Sequence, residues 1–187
     1  MNTIRVVNTR DGRMAKLFET VLWCMKAVSG DDIRENLKHL YIDKDFMVGC
    51  DGHRLHIALN DWDFESGLYE ILTVKTNEIL LAKSETLSLE NYPPIWNVVP
   101  FQCKNGIPPF QCYMDKKQEP INKSHFAYHV FMNTRHCYNL KYLEDIRMEG
   151  HMQFEMGEES PKLVIASEDH DRLGIIMPLK IGGIYQQ

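Results

Sequence analysis

The hydrophobic period of this chain changes from helical to strand spacing near residue 29, and the same change recurs towards the C-terminus. Residues 13–28 carry one apolar stripe at helical spacing, made by Met14, Leu17, Phe18, Val21, Leu22 and Met25. Asp11 is a suitable N-cap for this helix, and Ser29 and Gly30 end it. The runs LKHLYID, FMVGCD and RLHIAL follow as short strands, and YEILTVK-TN-EILLAKSE predicts a hairpin with Thr76 and Asn77 at its tip.

The same order of elements returns after a proline-rich interruption. The segment NYPPIWNVVPF excludes a helix or a central strand, and residues 101–123 form a connector rich in proline, lysine and glutamine. Beyond it, FAYHVFM predicts a strand, RHCYNLKYLEDIR a short helix, and HMQFEM, KLVIAS and RLGIIMPLKI three further strands. We therefore expect an α+β fold in which residues 1–100 and 124–187 are two strand–helix–strands halves of one domain, with two helices packed on antiparallel sheet.

Composition and charge narrow the class of protein. A chain of 187 residues can bury a substantial core, and no segment approaches the ~20 apolar residues of a membrane span. The N-terminus lacks the apolar region of a signal peptide, and the five cysteines show no CxxC spacing, so we expect a cytoplasmic protein. The net charge of −5 argues against a surface coated in positive charge for nucleic acid, although it leaves a local basic face open.

The polar turn at residues 51–54 separates the apolar runs FMVGC and LHIAL, and two interpretations compete for it. A small metal-dependent or Cys/His enzyme would draw its ligands and nucleophile from Asp51, His53, His56, Cys50, Asp169, His170 and Asp171. Successive strand residues point to opposite faces, however, so His53 and His56 would not meet. No G-x-S-x-G elbow or glycine-rich phosphate loop is present either. The other interpretation is a strand connection whose polar residues line a docking groove.

Five segments, in this order along the chain, resemble motifs of the bacterial DNA sliding clamp, the β subunit of DNA polymerase III. They are RENLKHLYI (34–42), CDGHRL (50–55), YPPIWNVVP (92–100), YNLKYLEDI (138–146) and IIMPLKI (175–181). The first half resembles the opening half of the clamp's middle domain, and the second half resembles the closing half of its last domain. The resemblance implies a shortened, DNA-clamp-like fold that acts as a non-enzymatic binding module of DNA replication or repair and needs no cofactor.

In the clamps, the G-H-R-L turn, the proline segment and the terminal M-P strand together wall one groove. That groove receives linear peptides of polymerases, clamp loaders and repair proteins. The resemblance implies a peptide groove formed by Leu37, Gly52, His53, Arg54, Leu55, Pro93, Val98, Asn139, Tyr142, Ile175, Met177, Pro178 and Leu179. An apolar floor with adaptable side chains and a few polar groups at its rim suits such a groove. Cys50, Pro94 and Trp96 depart from the family's Thr, Asp and Arg, and the tail GGIYQQ extends past the family's usual end.

The helices of the clamps also carry lysine and arginine towards DNA in a central hole. The corresponding candidates here are Arg13, Lys16, Lys26, Arg135, Lys141 and Arg147. Glu19, Glu144 and Asp145 alternate with them, which favours a solvated face of mixed charge and weak or indirect DNA contact. Ring closure would need several copies joined through exposed strands, and TIRVVN and YEILTVK are short candidates for such edges. A monomer or small dimer is therefore expected.

Overall fold

The computed structural model describes residues 2–30, 33–99, 138–148, 151–156, 162–167, 169 and 171–179. Its helices are α1 at Gly12–Met25 and α2 at Leu140–Ile146, with 3-10 turns at Glu35–Lys38, Leu89–Asn91 and Ile95–Asn97. Its strands are β1 Thr3–Val7, β2 His39–Ile42, β3 Phe46–Cys50, β4 Arg54–Leu59, β5 Gly67–Lys75, β6 Glu78–Lys83, β7 His151–Met156, β8 Lys162–Ser167 and β9 Arg172–Ile176. Neither of these two α-helices is long and apolar enough to span a membrane. The predicted strand FAYHVFM, the connector and the tail GGIYQQ lie outside the described residues.

The described strands form one sheet in the order β1-β6-β5-β2-β3-β4-β9-β8-β7, and all neighbours are antiparallel. The two halves of the chain meet where β4 pairs with β9, with Leu55 opposite Ile175. Strands β3 and β2 follow outwards on one side of this junction, and β8 and β7 follow on the other. The hairpin predicted at Thr76 and Asn77 is confirmed, because β5 and β6 pair on either side of it. Two helices on an antiparallel sheet, the predicted α+β class, are confirmed as well.

Both faces of the sheet are buried, which explains the nearly continuous apolar runs of its central strands. On one face, α1 and α2 cover a cluster that contains Trp23 and Ile176. On the other face, the segment around the last two 3-10 turns contributes Tyr92 and Ile95 to a second cluster. Successive side chains of β4 alternate between these two faces, so adjacent residues of that strand serve different layers.

Two glycines allow the helices to lie close to the sheet. A Cβ at Gly49 of β3 would be 2.0 Å from the carbonyl oxygen of Cys24 in α1. A Cβ at Gly174 of β9 would be 2.0 Å from the Cδ1 atom of Ile146 in α2. Since real Cβ atoms do not approach other atoms so closely, a side chain at Gly49 would push α1 away from β3, whereas one at Gly174 would first displace the side chain of Ile146.

Two predicted elements are shorter in the structure. Helix α1 ends at Met25 rather than near residue 28, although Asp11 caps its start as predicted by accepting a hydrogen bond from the Arg13 N–H at 3.0 Å. The terminal strand ends at Ile176 instead of continuing to residue 181. The reason lies in its partner, because β4 begins at Arg54, opposite Ile176, and the chain before Arg54 belongs to the polar turn.

Candidate peptide-docking site

The polar turn between β3 and β4 is held by its own aspartate. One carboxylate oxygen of Asp51 accepts hydrogen bonds from the backbone N–H groups of His53 and Arg54, each at 2.9 Å. Gly52 adopts a φ of 86°, a conformation that favours glycine. A Cβ at Gly52 would also lie 2.5 Å from Nη2 of Arg34, which packs against the turn. These contacts fix the turn and leave the His53 side chain exposed.

Arg54 is buried and joins this turn to helix α2. Its side chain is only 7% exposed, and its guanidinium donates to Asp51 at 2.9 Å and to Asp145 of α2 at 2.6 Å. The same guanidinium lies 4.3 Å from the ring centre of Tyr142, a cation–π distance. Asn139 caps the start of α2 by accepting from the Lys141 N–H at 2.9 Å. Arg54 therefore holds Asn139 and Tyr142, the predicted groove residues at α2, next to the turn. It does so as a buried residue and not as an accessible one.

The C-terminal segment reaches the same turn. The backbone N–H of Met177 donates to the carbonyl oxygen of His53 at 2.8 Å, one residue beyond the end of β9. Leu55 and Ile175 face each other in the β4–β9 pair, and both lie in the second apolar cluster together with fully buried Leu37. These three side chains belong to the buried core, with at most 3% of each exposed. The accessible apolar surface comes from Met177 and Pro178, which are half-buried, and from Leu179, which is 50% exposed.

The proline segment covers the face of the sheet to which Leu55 contributes. Tyr92 and Ile95 anchor this segment in the second cluster, where Pro93 is half-buried between them. Val98 remains 37% exposed, and its carbonyl oxygen accepts a hydrogen bond from Lys162 of β8 at 3.2 Å. The segment is therefore tied to both halves of the chain while Val98 presents an apolar side chain to solvent.

The residues of the alternative enzyme hypothesis each have a separate structural role. Asp51 is committed to its turn and to Arg54, and His53 is exposed. His56 is fully buried, stacks on Trp23 at 4.3 Å and donates through Nδ1 to the Trp23 carbonyl oxygen at 2.8 Å. Burial lowers the pKa of His56 to about 3. Among the described residues, no three His, Cys, Asp or Glu side chains are grouped to hold a metal ion.

Two further residues of that hypothesis, Cys50 and Asp171, are also engaged elsewhere. The thiol of Cys50 accepts a hydrogen bond from the Gly52 N–H at 3.3 Å. Asp171 pairs with Lys16 at 2.9 Å and accepts from the Ser167 hydroxyl at 3.0 Å, so it closes the β8–β9 hairpin. His170 lies outside the described residues.

The candidate DNA-facing residues lie on the helical face. Arg13, Lys16, Lys26 and Lys141 are exposed, and Arg147 is half-buried, whereas Arg135 lies outside the described residues. Two of these cations are already used within the protein: Lys16 pairs with Asp171 at 2.9 Å, and Arg13 donates to the carbonyl oxygen of Asp61 at 3.3 Å. Exposed Glu19 interrupts the row on α1, so the helical face has mixed charge.

Sequence reasoning missed Asp145 as the partner of Arg54. It assigned Asp145 to a solvated helix face, although an arginine at the start of a buried strand requires a carboxylate nearby. The sequence signal for a buried ion pair was the position of Arg54, directly between a turn and an apolar run. The helix that supplies Asp145, however, lies about ninety residues further along the chain.

The arrangement of two helices over one antiparallel sheet, joined at β4 and β9, is that of a DNA-clamp-type domain. The DNA polymerase sliding clamp of Pseudomonas aeruginosa is similar with a TM-score of 0.54 and 11% identity, over 96% of this chain and 67% of that chain. The β sliding clamp of C. crescentus is similar with a TM-score of 0.57 and 11% identity, over 97% of this chain and 66% of that chain. The clamp-like fold predicted from the five motifs is thereby confirmed.

The likeness is confined to structure. No protein-family model matches the sequence, and no curated protein matches it. The chain spans about two thirds of the length of the clamps that it resembles. What it shares with them is the fold, and its function has to be argued from its own residues.

Proposed function

We propose that this chain is a non-enzymatic, clamp-like binding module of DNA replication or repair that docks linear peptide motifs of polymerase, clamp-loader or repair proteins. The observation that carries the proposal is the junction at the polar turn. There the Met177 N–H meets His53, Leu55 faces Ile175, and Arg54 contacts Tyr142. Three segments far apart in sequence thus meet at the turn, with Leu55 and Ile175 on one face of the sheet and Arg54 and Tyr142 on the helical face.

The chemistry of this neighbourhood favours apolar anchors in the bound peptide. Arg54 is neutralised by two carboxylates and is nearly inaccessible, so it offers no charge to a ligand. Met177 and Leu179 supply adaptable apolar surface, and exposed His53 supplies a polar group at the edge. A short peptide would therefore bind through apolar side chains and fix its register through hydrogen bonds at the turn.

Replacing Met177 by alanine is expected to weaken peptide binding by about 1–3 kcal/mol, because docking energy concentrates in a few central apolar contacts. The measurement is fluorescence anisotropy with synthetic peptides tiled across the polymerase, clamp-loader and repair subunits of the host. Leu59→Ala is the matched control, since Leu59 is 39% exposed at the far end of β4. Equal losses in both variants would contradict docking at the turn. Failure of every peptide to bind the parent protein would instead favour a diverged clamp fold without this activity.

DNA binding is expected to be weak and strongly salt-dependent. The exposed cations of the helical face are few and partly paired, and the whole chain carries a charge of −5. The affinity of a protein that makes about three phosphate contacts falls roughly 40-fold between about 50 and 200 mM salt, because each contact contributes about −0.9 to the slope of log K against log salt. A filter-binding titration of duplex DNA across this range, with Lys26→Glu as the charge-reversal variant, checks the prediction. Tight binding that persists at the upper salt concentration would contradict it.

The chain is expected to be a monomer or small dimer that does not encircle DNA. A closed clamp ring requires several domain-sized units, and this chain supplies one. Light scattering on the purified protein gives the mass directly. A stable hexamer, or retention on circular but not on linearised DNA, would overturn this expectation.

A further inference from the structure

Strand β5 is longer than its neighbour β2, and the difference leaves an open strand edge inside the sheet. Strand β2 pairs only with Gly67–Glu70 of β5 and begins at His39, where the Glu35–Lys38 turn leads away. On their other side, Ile71 and residues 73–75 of β5 pair with β6. Within the described residues, no strand lies along the second edge of this stretch. Among the described residues, no partner strand therefore satisfies the backbone groups on that side.

Four of the five residues of this open edge lack charge and proline, the side-chain features that protect an edge against pairing; the fifth, Lys75, is bonded to Glu78 at 3.2 Å. Protected edges carry charges or proline. Residues 71–74 read Ile-Leu-Thr-Val without a charge, and Leu72 and Val74 are 40% and 49% exposed. A register shift between Ile71 and Thr73 marks a β-bulge in the pairing with β6, and bulges are over-represented at sheet edges and next to active sites.

A cleft of about 800 Å³ lies beside His39, the first residue of β2. Its apolar lining includes Met25, Val28, Ile71 and Leu87, and its polar lining includes Glu70. This volume lies within the range of pockets that hold ligands. The cleft shares no residue with the docking neighbourhood at the polar turn, so the two surfaces are separate.

The charges around the cleft indicate which peptides would bind at this strand edge. The cleft lysines, Lys38 and Lys83, are bonded to Glu35 and Glu65 respectively. Exposed Glu70 has no ion-pair partner among the described residues, and the chain as a whole carries a charge of −5. We propose that the Ile71–Lys75 edge of β5 binds an extended segment of another protein by strand addition, and that this segment alternates β-branched apolar residues with basic residues. The apolar side chains pack beside Leu72 and Val74, and a basic one pairs with Glu70.

The test uses the full chain and a fluorescein-labelled heptapeptide of alternating valine and lysine, followed by fluorescence anisotropy. Saturable binding is expected, with increased protection of the amides of residues 71–75 in hydrogen exchange. Leu72→Lys and Glu70→Lys should each weaken binding by about tenfold or more, equivalent to one decade in the dissociation constant. Leu59→Lys is the matched control, because Leu59 is 39% and Leu72 40% exposed, and it should leave affinity unchanged. Circular dichroism confirms that each variant is folded.

Two further arms separate strand addition from other causes. The same peptide with alternate backbone amides N-methylated cannot complete the strand ladder, so its binding should be lost. Equal binding of the methylated peptide would show attraction by charge alone and overturn the proposal. Equal weakening by Leu59→Lys would overturn it too. A doubled mass in light scattering that Leu72→Lys abolishes would show that the edge pairs with a second copy of this chain, which also contradicts a peptide partner.

Discussion

Replacing Asp145 by alanine is expected to lower the free energy of unfolding by about 3 kcal/mol, because it leaves the buried Arg54 guanidinium short of one carboxylate. Arg54 is 7% exposed, and Asp145 bonds to it at 2.6 Å from helix α2. Breaking a buried pair by removing one partner generally costs about 3–5 kcal/mol. The lower end applies here, since Asp51 retains its own bond to Arg54 at 2.9 Å.

Urea denaturation of the parent and of Asp145→Ala measures this difference. Glu144→Ala is the matched control, because Glu144 is the adjacent half-buried carboxylate on the same helix, and a change within about 0.5 kcal/mol is expected. Asp145→Asn, which keeps the shape and one hydrogen-bonding oxygen, should fall between the two. Equal effects of the alanine variants would show that Arg54 does not depend on α2.

A second consequence of the Asp145 variant concerns binding. Asn139 and Tyr142 belong to the helix that Arg54 holds against the turn. Loosening α2 should therefore weaken peptide docking, even though Asp145 lies beneath the surface that the peptide contacts. A double variant that replaces Arg54 by methionine together with Asp145 by alanine removes the unpaired guanidinium but also deprives Asp51 of its partner, so only part of the lost stability should return. Recovery would assign the loss to the unpaired charge rather than to the missing side chain volume.

The elements that could be predicted from sequence are those whose signals are local. The hairpin at Thr76 and Asn77, the turn at residues 51–54 and the Asp11 cap each depend on a few adjacent residues, and each occurs where expected. The alternation along β4 likewise predicted that His53 and His56 would separate. Those inferences needed only the periods of helices and strands.

Features that depend on contacts distant in sequence could not be predicted in the same way. The end of the terminal strand at Ile176 is set by where β4 begins, more than a hundred residues earlier. Arg54 can be buried because Asp145 pairs with it. The charge of Arg54 alone would instead have suggested a position at the rim of the groove. The open edge of β5 arises only because β2 begins at His39, opposite Glu70, which no property of the sequence YEILTVK reveals.

The stability of this chain is expected to fall steeply as the pH drops below about 6.5, and His56 is the main cause. Its side chain is fully buried beside Trp23, and its Nε2 has no hydrogen-bond partner among the described residues. The pKa of His56 falls from 6.5 to about 3, mainly because the side chain is buried; the nearby Arg54 and Lys26 cations also lower this pKa, and the Trp23 carbonyl and Asp145 raise it. The folded chain therefore keeps His56 neutral in a range where the unfolded chain binds a proton.

Because the unfolded state takes up that proton, each pH unit between about 6.5 and 3 should remove roughly 1.4 kcal/mol of unfolding free energy. The full loss would approach about 5 kcal/mol, and no further contribution from His56 is expected below pH 3 or above pH 6.5. Urea midpoints measured from pH 7 to pH 4 provide the slope. His56→Gln can still donate to the Trp23 carbonyl oxygen but does not titrate, so its stability should depend much less on pH. His53→Gln, at an exposed histidine, should retain the parent slope. If His56→Gln and the parent lose stability at the same rate, the acid sensitivity belongs to the carboxylates, and the buried histidine is not its source.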